Sequence, residues 1–204
     1  MKVIVAITGA SGAVYAHRML RRLAELGERL EEVALVVSRT AEEVWRYELP
    51  GEPLEQHAFK RHDPESFFSP VASGSAGYDA MIVVPCSVGT LGRIAAGTAD
   101  DLIARAADVM LKERRKLILV LREAPYNLIH IRNMAAVTEA GAVVMPANPS
   151  FYMNPQSIEE LCDTVVERAM VLAGVISGGR GFMTADSRRQ TAEEDGGPQT
   201  TDRG

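Results

Sequence analysis

Several short stretches of this chain place hydroxyls, glycines and cations where anionic chemistry would need them. TGASGA, Thr8 to Ala13, follows an apolar run and precedes a helical one. Gly9 and Gly12 permit close backbone approach and Ser11 offers a hydroxyl. The start of a helix favours an anion, so a phosphate or flavin edge fits there. Ser38 closes a second apolar run just before another helical segment, where its hydroxyl caps the helix and the exposed amides face a phosphate. PCSVGT, Pro85 to Thr90, repeats the pattern with small and hydroxylated residues between strand and helix.

Charged groups are added to these exits. Arg105 and Lys112 stand two turns apart on one predicted helix, hence on one face. In LKERRKLILVLREAP, Leu111 to Pro125, a basic run leads into an apolar strand that ends on Arg122 and Glu123. Arg168 falls on the last helix, after Tyr152 in the loop PANPSFYMNP. Gathered round one crevice, these cations would clamp a phosphate, arginine with forked donors and lysine as a point charge. Each feature also has a plain structural reading: a tight turn, an N-cap or a solvated surface charge. The dinucleotide fingerprint is incomplete, because Tyr15 stands where a third glycine belongs and no acidic residue closes the second strand. His17, His57, His62 and His130 show no metal-ligand spacing and read as surface or core. Cys86 reads as packing, since no activating partner is visible.

The elements that must position these residues follow from periodicity. Apolar runs rich in Val and Ile alternate with helical segments, the signature of a parallel sheet buried on both faces and so of an α/β fold. Strands are predicted at Val3–Thr8, Glu32–Ser38, Ala80–Pro85, Leu117–Leu121 and Ala142–Met145, with a short one near His57–Phe59. Helices are predicted at Ala13–Leu26, Thr40–Tyr47, Leu102–Lys112, Leu128–Ala140 and Ser157–Leu172. Strand ends in such sheets are where ligands bind, so the exits are expected to converge on one edge. The stretch from about Ser177 to Gly204 is polar and Gly-rich and is expected to be a flexible tail.

Composition narrows the function. With 204 residues, 47% of them hydrophobic, the chain can bury the core of one domain without staples. A net charge of -5 gives no footprint for nucleic acid. Two cysteines and no leader suggest a reducing cytoplasm, and no apolar run approaches a membrane span.

TGASGA, SGS at Ser73 to Ser75, PCSVGT, RAADVMLKERRKLILVLREAP and FYMNPQS, in that order from about Lys2 to Leu172, resemble the flavin prenyltransferase family of the UbiX type. The resemblance implies a single Rossmann-like, flavodoxin-like three-layer sandwich with a mostly parallel sheet over residues 1–176. It also implies a metal-independent enzyme that joins the dimethylallyl group of dimethylallyl phosphate to N-5 and C-6 of reduced FMN. The product, prenylated FMN, would serve a UbiD-type decarboxylase. Carried over, Gly9, Ala10 and Ser11 border the flavin, Ser38 holds its phosphate, and Ser87, Val88, Gly89, Thr90 and Arg122 complete the FMN site. Arg105, Lys112, Tyr152 and Arg168 grip the dimethylallyl phosphate, with Arg105 from a neighbouring part of the site or a neighbouring subunit. Ser11, Glu48 and Glu123 are the catalytic candidates. Large homo-oligomers, often dodecamers, are implied in the same way.

The chain departs from the family pattern in two places. Leu121 replaces a common proline before the Arg-Glu pair, and the C-terminal segment lacks the usual tryptophan, leaving the prenyl group to be covered by Phe182 or Met183 or by a lid from elsewhere. A flavin-dependent cysteine decarboxylase is the nearest other reading. It would need a catalytic histidine near the second strand's exit and a different loop from PANPSFY. A non-catalytic FMN carrier would not require a second phosphate clamp.

Overall fold

The computed structural model of the chain describes residues 1–178. Its strands are Lys2–Ile7 (β1), Glu32–Val37 (β2), Lys60–His62 (β3), Ala80–Cys86 (β4), Lys116–Leu121 (β5) and Val143–Pro146 (β6). They form one sheet in the order β3–β2–β1–β4–β5–β6, with every neighbouring pair parallel. Val3 to Ala6 and Ala80 to Val84 are wholly buried, which is why these runs carry no polar alternation. The chain winds outward from β1 in one direction and from β4 in the other. That reversal opens a crevice at the C-terminal edge between β1 and β4, the usual ligand position of a doubly wound sheet.

Helices cover both faces. Ala13–Leu26 (α1), Arg39–Glu48 (α2) and Ile158–Ala173 (α6) pack on one side, around Met19, Leu20, Trp45, Val166 and Ala169. Val88–Ala95 (α3), Leu102–Lys112 (α4) and Leu128–Glu139 (α5) cover the other, around Leu91, Leu102, Ala106, Met110 and Val137. Arg18 pairs with Asp163 at 2.8 and 2.5 Å and Arg22 with Glu167 at 2.9 Å. Equal steps along both helices mean that α1 and α6 run side by side in the same direction.

The short third strand lies at Lys60–His62 and pairs with Ala34 to Val36, not near His57–Phe59. His57 turns inward instead, its Nε2 3.4 Å from His17 Nδ1 and its ring edge-on to Trp45. The expected tail from Ser177 lies almost wholly outside the described residues, as do Phe182 and Met183. Among the described residues no helix is long and apolar enough to cross a membrane.

Candidate functional site at the strand C-termini

The exits of β2, β1, β4, β5 and β6 are tied in series by hydrogen bonds. The Ser38 amide donates to Ile7 O at 3.0 Å, joining β2 to β1. The buried Thr8 hydroxyl donates to Pro85 O at 2.7 Å and accepts from the Ser87 amide at 2.8 Å, spanning the crevice between β1 and β4. The Arg122 amide reaches Cys86 O at 3.0 Å and the Ala147 amide Leu121 O at 2.8 Å. The hydroxyl-bearing exits therefore share one edge, as the sequence predicts. Thr8 is the joint between them, marked in the sequence only as a lone hydroxyl ending an apolar strand.

Ser38 and Ser87 are both N-caps. Ser38 Oγ accepts the Ala41 amide at 3.1 Å, and Ser87 Oγ the Thr90 amide at 3.2 Å. Gly89 is exposed, and a β-carbon there would meet nothing nearer than Ser87 Oγ at 3.9 Å, so the start of α3 is a bare backbone ledge. Gly9 has a different reason. A β-carbon there would lie 2.5 Å from the Thr40 methyl, so its bareness admits the start of α2 as much as any ligand.

The anion position at the start of α1 is already filled. Glu48, at the end of α2, accepts the Gly12 and Ala13 amides at 2.8 and 2.7 Å. Of the phosphate or flavin edge suggested at TGASGA, a phosphate therefore finds its place taken by the protein's own carboxylate. Burial pushes the Glu48 carboxyl up, yet the Ser11 hydroxyl, the two amides and the Arg122 charge outweigh it and hold it below the ordinary carboxylate range. Burial raises Tyr15, helped by Cys162 and opposed by Arg122. Arg122 itself is exposed, and Glu123 Oε1 accepts the Ala124 amide at 2.9 Å. Burial pushes the Cys86 thiol up to about 12, in keeping with its packing role.

The second clamp is not assembled within one chain. Lys112 ends α4 four residues before β5 begins, at the N-terminal edge of the sheet, with Nζ 2.5 Å from Glu113. Glu113 lies against Gly74 of the SGS motif, and Arg115 donates to Gly74 O at 2.8 Å, so that motif seats the end of α4. Arg105 is engaged by Ala72 O at 3.2 Å and Asp108 at 2.7 Å. Tyr152 is exposed in the single turn Phe151–Met153 that precedes α6, and Arg168 is exposed along that helix. A single crevice holding Lys112 beside Arg122 is thus corrected: α4 carries Lys112 away from the exits.

Residues 1–170 match the Flavoprotein family. The flavin prenyltransferase UbiX of Methanocaldococcus jannaschii is 43% identical over 177 residues, covering 86% of this chain and 94% of that protein. The flavin prenyltransferase UbiX of Pseudomonas aeruginosa is 42% identical, covering 85% and 90%. Among solved structures, AnUbiX (PadA1) in complex with FMN and dimethylallyl pyrophosphate superposes with a TM-score of 0.81 at 44% identity, over 89% of this chain and 98% of that one. A dodecameric FMN-dependent UbiX-like decarboxylase from Escherichia coli O157:H7 gives 0.83 at 39%, over 89% and 97%. The epidermin biosynthesis protein EpiD of Staphylococcus aureus, at 19% identity and 0.56, shares the fold alone. With its motifs, its sheet order and its likeness over most of its length in agreement, the chain belongs to the flavoprotein family, among the UbiX-type flavin prenyltransferases.

Proposed function

We propose that this protein is a flavin prenyltransferase that moves the dimethylallyl group of dimethylallyl phosphate onto N-5 and C-6 of reduced FMN. The observation that carries the reading is the Glu48 carboxylate at the end of α2, bound to the Gly12 and Ala13 amides and to Ser11 of the loop after β1 and held ionised beside Arg122 at the crevice between β1 and β4. The capped N-termini of α2 and α3 offer free amides, Gly89 leaves a flat approach, and Arg122 adds a cation. This donor set suits a phosphorylated, acceptor-rich planar group such as FMN. Reduced FMN, when bound, supplies the nucleophilic nitrogen and carbon, so the chain needs no covalent residue of its own.

The remaining work falls to side chains. Arg168 and Tyr152, with Lys112 and Arg105 from a neighbouring copy, bind the donor phosphate and stabilise the charge that grows on it as the allylic bond breaks. Glu48, already a carboxylate near neutrality, accepts a proton and does not donate one, and Ser11 is its contact with the ligand. Glu123 positions Arg122 or takes the proton released at C-6. The product is prenylated FMN, delivered to a UbiD-type decarboxylase, and the active form is a homo-oligomer in the cytoplasm.

The test is anaerobic incubation with reduced FMN and dimethylallyl phosphate in the presence of EDTA, followed by mass spectrometry. A flavin heavier by one prenyl unit is expected. Absence of that adduct, also with the pyrophosphate ester, would overturn the assignment.

A further inference from the structure

We infer that Arg93 and Asp101 are positioning residues that fix the direction of the Ser87 hydroxyl, making it a dedicated hydrogen-bond donor toward the ligand. The inference rests on the reading of the β4 exit as part of an FMN site. Arg93, on α3, places Nη2 3.3 Å from Thr90 Oγ1 and 3.2 Å from Asp101 Oδ2, while its Nε lies 3.3 Å from Asp100. Asp101 is itself immobilised, because its Oδ1 accepts the Ala104 amide at 2.7 Å as the N-cap of α4.

The direction follows from what each group can do. A guanidinium only donates, so Thr90 Oγ1 must accept from it. Thr90 is 2% exposed and Ser87 Oγ at 3.1 Å is its remaining neighbour, so its proton goes there, since a buried O–H left unpaired would be costly. Ser87 Oγ already accepts the Thr90 amide at 3.2 Å. Both acceptor positions of Ser87 are then used, and the one hydrogen-bonding function left to it is its O–H, directed away from α3. That donor suits an acceptor oxygen, which FMN presents both on its phosphate and on its ring and ribityl chain. Without Arg93 the Ser87–Thr90 pair could reverse, and Ser87 would then offer a lone pair to a ligand oxygen.

The relay separates this role from a merely structural one. FMN affinity, read by quenching of flavin fluorescence, is expected to fall about tenfold in Arg93→Met, the loss of one hydrogen bond. Arg93→Lys, which keeps a donor, is expected to restore most of it. Thr90→Val cuts the relay without touching the Arg93–Asp101 pair and is expected to match Arg93→Met. In a Ser87→Ala background neither change is expected to matter further, because the group they orient is gone. Parallel titration with riboflavin tells the acceptors apart: equal losses mean a ring or ribityl oxygen, and loss for FMN alone means the phosphate. If Arg93→Met and Thr90→Val weaken FMN by the same factor with or without Ser87, the inference is wrong while the FMN site stands. Wild-type protein that leaves flavin fluorescence unquenched would overturn the FMN reading and this inference with it.

Discussion

The Glu48 carboxylate lies 2.7 Å from the Ala13 amide, so the last residue of α2 supplies the counter-charge at the first turn of α1. A helix start beside a strand exit commonly waits for a ligand phosphate. Here the same electrostatics hold a side chain in place, with the Ser11 hydroxyl attached to it. The loop after β1 is thereby closed to a second anion, and under the proposed function it presents a proton acceptor instead.

That arrangement makes stability depend on acid. The folded state binds the Glu48 proton less readily than the unfolded chain does, so the stabilisation is complete above the ordinary carboxylate pKa of about 4.3 and is lost as pH falls through the folded value. Glu48→Gln keeps the shape and removes the charge. It is expected to lower the unfolding free energy by about 1–2 kcal/mol at pH 7 and by much less near pH 3. Urea melts at both pH values decide it, and an undiminished gap at pH 3 would count against the account.

His17 and His57 act on a second window. Burial lowers the pKa of both; Glu52 partly offsets this, and for His57 the nearby His17 adds to the lowering. Neutral rings therefore stabilise the fold above the ordinary histidine value of about 6.5, and that contribution drains away as pH falls below it. The urea midpoint of wild-type protein is expected to drop between about pH 6.5 and 5. His57→Phe, which keeps a ring against Trp45, is expected to make that drop shallower, and an unchanged slope would show that the pair is not its source.

Under the proposed function Ser38 and Arg168 serve different phosphates. Ser38→Ala removes the cap of α2, worth about 1 kcal/mol, and is expected to weaken FMN while sparing the prenyl donor. Arg168→Ala is expected to raise the KM for dimethylallyl phosphate with little change in FMN affinity. Isothermal titration with each ligand measures both, and matched losses would argue for one shared phosphate site.

How much of this could be read from the sequence depended on range. The parallel sheet and the cap at Ser38 were legible because apolar runs and N-cap residues act over a few positions, whereas the eight-residue helix Val88–Ala95 is too short to show a sustained period. The third strand slipped by three residues, since the inward turn of His57 depends on His17 forty positions away. Glu48 could be nominated by resemblance, but its grip on Gly12 and Ala13 spans 36 and 35 residues and left no local mark. Arg93 passed unnoticed because an arginine in the last turn of a helix looks like ordinary dipole compensation.

Lys112 poses the sharpest geometric question. β5 has six residues, at about 3.3 Å each, so the N-terminal edge where Lys112 sits is roughly 20 Å from the exit carrying Arg122. No lysine side chain spans that length. If Lys112 and Glu48 both serve the reaction, each must meet the other on a neighbouring copy, so a lone chain is inactive however well it folds. Lys112→Ala and Glu48→Gln are each expected to abolish turnover in pure assemblies. Dissociated, mixed in equal amounts and reassembled, they would create sites with both native residues, giving roughly a quarter of wild-type turnover for random pairing of two copies. Recovery after mixing, measured as prenylated flavin formed per chain, establishes the shared site. If exchange of subunits is verified and activity stays at zero, Lys112 and Glu48 do not complete one another across copies.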